Sequence, residues 1–176
     1  MLLSLIMMPL ATAIPLVVTL KIDEPSQLFF DKQRISYFPA HANYVPAHIT
    51  LFHKLPVDNP VIENGLATFA KHPAFELLIT DIMLHNSSVA YSIQSDALQK
   101  LHVQMQHTFA PYLIRNDRKI FAPHITIQNK VTAYKAYKTQ TLLLADFKPF
   151  VVQALGYTSW YYVKGYWEKK EEYFFR

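Results

Sequence analysis

Cysteine is absent from this chain, so disulfides, thiolate nucleophiles, iron–sulfur clusters and Cys-type zinc sites are excluded. Glycine occurs only three times. That leaves no Gly-rich loop to cradle phosphates, and neither a P-loop nor a dinucleotide fingerprint is present. A nucleotide, if bound, must be held by side chains. Charge is also sparse, at 17% of residues with a net +4. The sign leans toward anionic partners, but the basic residues are scattered and define no phosphate groove. Lys169-Lys170 directly precedes Glu171-Glu172 and reads as a solvated tail. What the chain has in plenty is apolar and aromatic side chains, 51% hydrophobic with 12 Phe and 11 Tyr. It is therefore no disordered polypeptide and is long enough to bury a core.

Met1 to Leu20 carries no charged side chain. A signal peptide would begin with a basic region, which is missing, although Ala11-Thr12-Ala13 resembles a cleavage site. A membrane-spanning helix needs about 20 apolar residues, and Pro9 and Pro15 interrupt this stretch. The expectation is an apolar extension over 1–14, one domain over 15–176, no membrane span and a cytoplasmic location.

Leu16 to Ile22 reads as a first buried strand, and Glu24 to Phe38 has helical spacing with Pro25 in the first turn. Asp58-Asn59-Pro60 opens a helix to about Lys71. Phe75–Leu84 and Ser88–Ile93 are strands about an Asn86-Ser87 turn, and Ser95-Asp96 caps a long helix to about Phe109. A loop from Pro111 to Pro123 follows, Thr132 caps a helix to about Ala145, and Phe150–Val163 is β-rich with a bend near Gly156. The two halves have similar element order. The fold class expected is α+β and bilobal, with two antiparallel-type sheets, helices outside and a central cleft.

The most informative feature is a repeat. His48-Ile49-Thr50-Leu51-Phe52-His53-Lys54-Leu55 and His124-Ile125-Thr126-Ile127-Gln128-Asn129-Lys130-Val131 share His, a β-branched residue, Thr and an apolar residue, with Lys six places after the His. Strict strand alternation puts His48, Thr50, Phe52 and Lys54 on one face, and Ile49, Leu51 and Leu55 on the other. It likewise puts His124, Thr126, Gln128 and Lys130 opposite Ile125, Ile127 and Val131. By the same rule His53 faces away from His48. An imidazole titrates near neutrality, so one can take a proton from a nucleophile while the other protonates a leaving oxygen. Each Thr, one pleat away, can donate to the reacting group. The set suits in-line displacement at phosphorus, where charge builds on non-bridging oxygens.

Phe52 is placed to stack on a base, with core packing as the competing reading. Lys54, Lys130 and Gln128 complete the expected substrate-binding set, and solvated strand ends are the competing reading for the lysines. His41, His53, His72, His85, His102 and His107 match no repeat and read as surface or helix residues. Neither motif has a nearby Asp, Glu or third His, so no metal site is expected.

The paired motifs resemble the two-histidine (2H) phosphoesterase superfamily, most closely its 2′-5′ RNA ligase and RNA 2′,3′-cyclic phosphodiesterase branch. His48-Ile49-Thr50-Leu51 and Pro123-His124-Ile125-Thr126-Ile127 carry the resemblance. It implies catalytic His48 and His124, phosphate-holding Thr50 and Thr126, and no metal or cofactor. The implied reaction is cleavage of 2′,3′-cyclic or 2′-5′ phosphodiesters in RNA ends or small nucleotides, by a monomer. Ligation, the same reaction reversed without ATP, and a non-catalytic RNA-end-binding protein are the alternatives. Two departures stand out. Many such enzymes continue the first motif into Phe-Leu-Gly, where this chain has Phe52-His53-Lys54. Many also carry Arg five residues past the second His, where this chain has Asn129.

Overall fold

A computed structural model describes residues 14–176. The apolar segment ahead of them therefore lies outside the described residues. The order is β1 (Leu16–Ile22), α1 (Glu24–Tyr37), β2 (Ile49–Leu55), α2 (Pro60–Phe69), β3 (Phe75–His85), β4 (Ser88–Gln94), α3 (Asp96–Phe109), β5 (His124–Gln128), α4 (Ala133–Leu144), β6 (Phe150–Val163) and β7 (Tyr166–Phe174). No described helix is long and apolar enough to cross a membrane.

Local chemistry sets the helix starts. Asp23, Asn59, Ser95 and Thr132 each accept a first-turn N–H, and Pro25 and Pro60 occupy the first turns of α1 and α2. Asp23 also accepts from the Gln153 N–H of β6 at 2.8 Å, so one side chain both starts α1 and ties it to the sheet.

All strand pairs are antiparallel, in the order β2-β1-β6-β3-β4-β5, with β7 on β6. The expected α+β duplication is present, and β6 joins its halves. Its first residues, Phe150 to Ala154, pair with β3. From Ala154 onward it pairs with β1, and from Gly156 onward with β7 on the other side. The change of partner falls where the bend was expected. Gly156 has φ +153°, and a Cβ there would overlap the Tyr173 carbonyl oxygen of β7. The apolar faces of both halves and the inner faces of α1–α3 form one core, including Phe30, Ile49, Leu66, Ile82, Phe109, Ile125 and Tyr157.

One expectation is corrected here. The charged end is not a solvated tail but strand β7, and its alternate residues are tied down: Lys170 pairs with Glu63 and Asp58, and Glu172 with Lys21. A charged run reads as solvent-facing when nothing marks it as an outer strand. His102 is one of the helix residues expected, on α3, and its ring is buried. It lies 2% exposed between the Phe52 and Phe121 rings.

Candidate active site

The two motif strands β2 and β5 are the ends of the sheet order, yet His48, Thr50, His124 and Thr126 line the same cavities, of about 210 and 500 Å³. Helix α1 brings them together. Gln27, Asp31 and Arg34 fall at i, i+4 and i+7, which is one helix face. Gln27 Nε2 donates to the Ala47 carbonyl at 2.9 Å, and Asp31 accepts the Ala47 N–H at 2.7 Å. Arg34 Nη1 donates to the Thr126 carbonyl at 2.7 Å. One helix face therefore holds the residue before His48 and the backbone of the second motif at once.

The two histidines are held alike. His48 Nδ1 lies 2.8 Å from the Pro46 carbonyl oxygen, and His124 Nδ1 lies 2.8 Å from that of Ala122. A carbonyl oxygen only accepts, so Nδ1 carries the proton in both rings and Nε2 is left for the reacting group. Burial pushes His48 down to about 4 against the Pro46 hydrogen bond, and the Arg34 charge adds to the depression. His48 is therefore a neutral base at pH 7. Trp167 of β7 packs on its ring, with centroids 4.5 Å apart.

Both motif strands carry the same irregularity. Thr19↔Thr50 is followed by Val18↔Phe52, and Ala90↔Thr126 by Val89↔Gln128. Each step uses one residue on the partner strand and two on the motif strand, so Leu51 and Ile127 are the extra residues of two bulges. A bulge reverses the alternation beyond it. Phe52 and Gln128, both four residues past their His, consequently turn inward and are 0% exposed.

That corrects their expected role in substrate binding. Phe52 stacks on His102 and meets Phe109 edge-on, while Gln128 donates to the Tyr37 carbonyl and Thr139 Oγ1. Lys54 does line the 500 Å³ cavity. Lys130 follows β5 in an exposed left-handed turn, φ 57°, and is not among the residues lining these cavities.

The same reversal sends the next residues into the cleft. His53 lines both cavities, and Asn129 lines an adjoining one of about 280 Å³ with Arg34, Tyr44, Tyr162 and Trp167. The expectation that His53 faces away from His48 is thus overturned. Its Nδ1 donates to Asp117 Oδ1 at 2.7 Å. Asp117, on the short 3₁₀ turn Asn116–Arg118, also accepts the His53 and Lys54 backbone N–H groups. Burial alone would raise its pKa, but the hydrogen bonds from His53 and Lys54 hold the carboxyl below its ordinary value. His102 Nε2 donates to the Leu51 carbonyl at 2.9 Å. Side chains thus satisfy the outer edge of β2 where no strand does.

Arg34, Asp117 and Trp167 carried no signal in the repeat, because each reaches the site from a distant element. His53 did carry one. It is the fifth residue past the motif His, the position whose departure from the Phe-Leu-Gly pattern was visible. Among the described residues no three His, Cys, Asp or Glu side chains form a metal-binding group.

A model of the 2′-5′ RNA ligase superfamily matches residues 22–161. The chain belongs to that superfamily. No curated protein sequence matches it. Among solved structures, it is similar to TT0787 of Thermus thermophilus, with 15% identity over 92% of this chain and 98% of that one, TM-score 0.66. It is similar to a crystallised phosphoesterase, with 16% identity over 93% and 98%, TM-score 0.58. Escherichia coli LigT complexed with 3′-AMP shows 17% identity over 92% and 97%, TM-score 0.55. At these identities the likeness is one of fold, and it spans nearly the whole of each chain.

Proposed function

We propose that the protein is a metal-independent phosphodiesterase acting on 2′,3′-cyclic phosphates or 2′-5′ linkages of RNA ends or small nucleotides. The observation that carries this reading is the matched pair of imidazoles. Each has Nδ1 bound to a carbonyl two residues back and Nε2 free, and each has a threonine one pleat away. In hydrolysis His48, neutral at pH 7, takes a proton from water as the water oxygen bonds to phosphorus. The P–O bond to the ribose breaks, and His124, which enters the step with both ring nitrogens protonated, gives its Nε2 proton to the departing oxygen. Thr50 and Thr126 donate to the non-bridging oxygens as charge grows there. Proton exchange with solvent resets both rings.

The capture of 3′-AMP by LigT, a protein of the same fold, supports a nucleotide ligand. A monomer suffices for the reaction, since both motifs come from one chain, and a cytoplasmic location suits RNA ends as substrates. The test is turnover of 2′,3′-cyclic nucleotides and 2′-5′ dinucleotides in the presence of EDTA. Phosphomonoester release that persists in chelator is expected. Loss in EDTA with rescue by a divalent metal would overturn the metal-free mechanism, and no turnover of any of these substrates would overturn the reading.

A further inference from the structure

The paired His-Thr set is complete for one phosphorus, with two acid–base groups and two hydroxyl donors, yet the cleft holds more. Among the described residues, the charged side chains lining its three adjoining cavities are Arg34, Lys54, Lys119 and Asp117. The sole carboxylate is 1% exposed at its side chain and engaged by β2. To a ligand the wall is therefore cationic at three points, whereas a cyclic phosphodiester carries a single negative charge. Such a surplus in a cleft is complementary to a ligand with more than one anionic group.

The surplus is divided by side. Arg34 lies on the α1 side and is committed to the Thr126 carbonyl and Asn43 Oδ1. Lys54 and Lys119 lie on the β2 side and flank His53. That ring is built for presentation: it is 54% exposed, and its Nδ1–H is fixed on a buried carboxylate, so only Nε2 faces the cavity. Beside that ring, the Lys54 and Lys119 ammonium groups can each donate a charge-assisted hydrogen bond to an anion.

Resting on the phosphodiesterase reading above, we propose that His53, Lys54 and Lys119 form a second anion subsite beside the scissile phosphate. The preferred substrate is then a nucleotide bearing a further phosphate group, rather than a bare cyclic mononucleotide. A terminal 5′-phosphate and the next phosphodiester of an RNA strand share this chemistry. His53 binds substrate here and takes no part in the displacement.

The test is calorimetric titration of the full chain with adenosine 3′-monophosphate, adenosine 3′,5′-bisphosphate and the dinucleotide ApAp. One additional charge-assisted hydrogen bond predicts about tenfold tighter binding of a two-phosphate ligand than of the monophosphate. In His53→Gln/Lys119→Ala that ratio should fall to within about twofold. A preference for the bisphosphate alone identifies a terminal phosphate, and one for ApAp alone identifies the RNA backbone.

A ratio near one in the unmodified protein, or an unchanged ratio in a folded double variant, overturns the subsite. If cyclic nucleotides are turned over but the ratio is near one, the subsite falls and the phosphodiesterase reading stands. If the ratio behaves as expected without turnover of any substrate, the reading of function falls and the subsite stands.

Discussion

Arg34 of α1 donates to the carbonyl oxygen of Thr126 across 2.7 Å, joining residues 92 positions apart. Its guanidinium is buried and also lies over the Phe38 ring, 4.2 Å from the centroid. Burial pushes its pKa down to about 10, against the Asp31 charge, so it remains a cation at neutral pH. One side chain therefore places the second motif and charges the surroundings of the first.

Arg34→Met should reveal both roles. Losing a charged hydrogen bond to a buried carbonyl costs about 1.5–3 kcal/mol, read as a lower denaturation midpoint. Because the Arg34 charge lowers the His48 pKa, the acid limb of kcat/KM should move up in pH. An unmoved limb in a folded variant would remove Arg34 from the electrostatics of His48.

The histidine pair should behave as a unit. His48→Asn and His124→Asn are each expected to lower kcat by about 10²–10⁴, as for a lost general acid or base. The double variant should lose much less than the product of the two effects, because both act in one transition state. Multiplicative losses in steady-state kinetics would mean that the two rings serve separate steps.

Acid should destabilise the protein through His48. Its folded pKa of about 4 lies below the ordinary 6.5. Between those values the unfolded chain binds more protons, so this stability is fully present above pH 6.5 and is lost as pH falls toward 4. Burial shifts His102 in the same direction. Melting temperatures should decline over this window, and His48→Asn should make the decline shallower. Superimposable curves for the two proteins would contradict the depressed His48 pKa.

Phe52 should matter for stability and not for substrate affinity. Phe52→Ala is expected to cost about 3–5 kcal/mol, as for an aromatic ring removed from a core. Phe52→Leu should be far milder and should leave KM in place. A raised KM in well-folded Phe52→Leu would return the ring to the cleft.

Gly156→Ala should loosen β7, because its Cβ would collide with Tyr173 backbone in a conformation disfavoured for other residues. A loss on the order of 3 kcal/mol is expected. It should come with a change in tryptophan fluorescence, since Trp167 leaves the neighbourhood of Trp160 and His48. Unaltered stability and emission would show that β6 turns there without glycine.

Much of this protein is determined locally and was legible in its residues. The caps Asn59, Ser95 and Thr132, the first-turn prolines Pro25 and Pro60 and the apolar periods specify where helices and strands lie, because those signals act within one turn or one pleat. The repeat likewise identified His48, Thr50, His124 and Thr126 as one set, and the structure brings them into one cleft. Facing beyond each threonine was decided elsewhere. Alternation assumes equal counts on paired strands, and only the pairing of β2 with β1 and β5 with β4 reveals the extra residues Leu51 and Ile127. The extra residue in each strand buries Phe52 and Gln128, and the one in β2 turns His53 outward. Asp117, Arg34 and Trp167 meet the motifs from a loop, a helix and a last strand, and contacts between distant elements leave no periodic trace in a sequence. Tertiary packing alone brought the His53 imidazole and the Arg34 and Lys119 charges into the cleft beside Lys54.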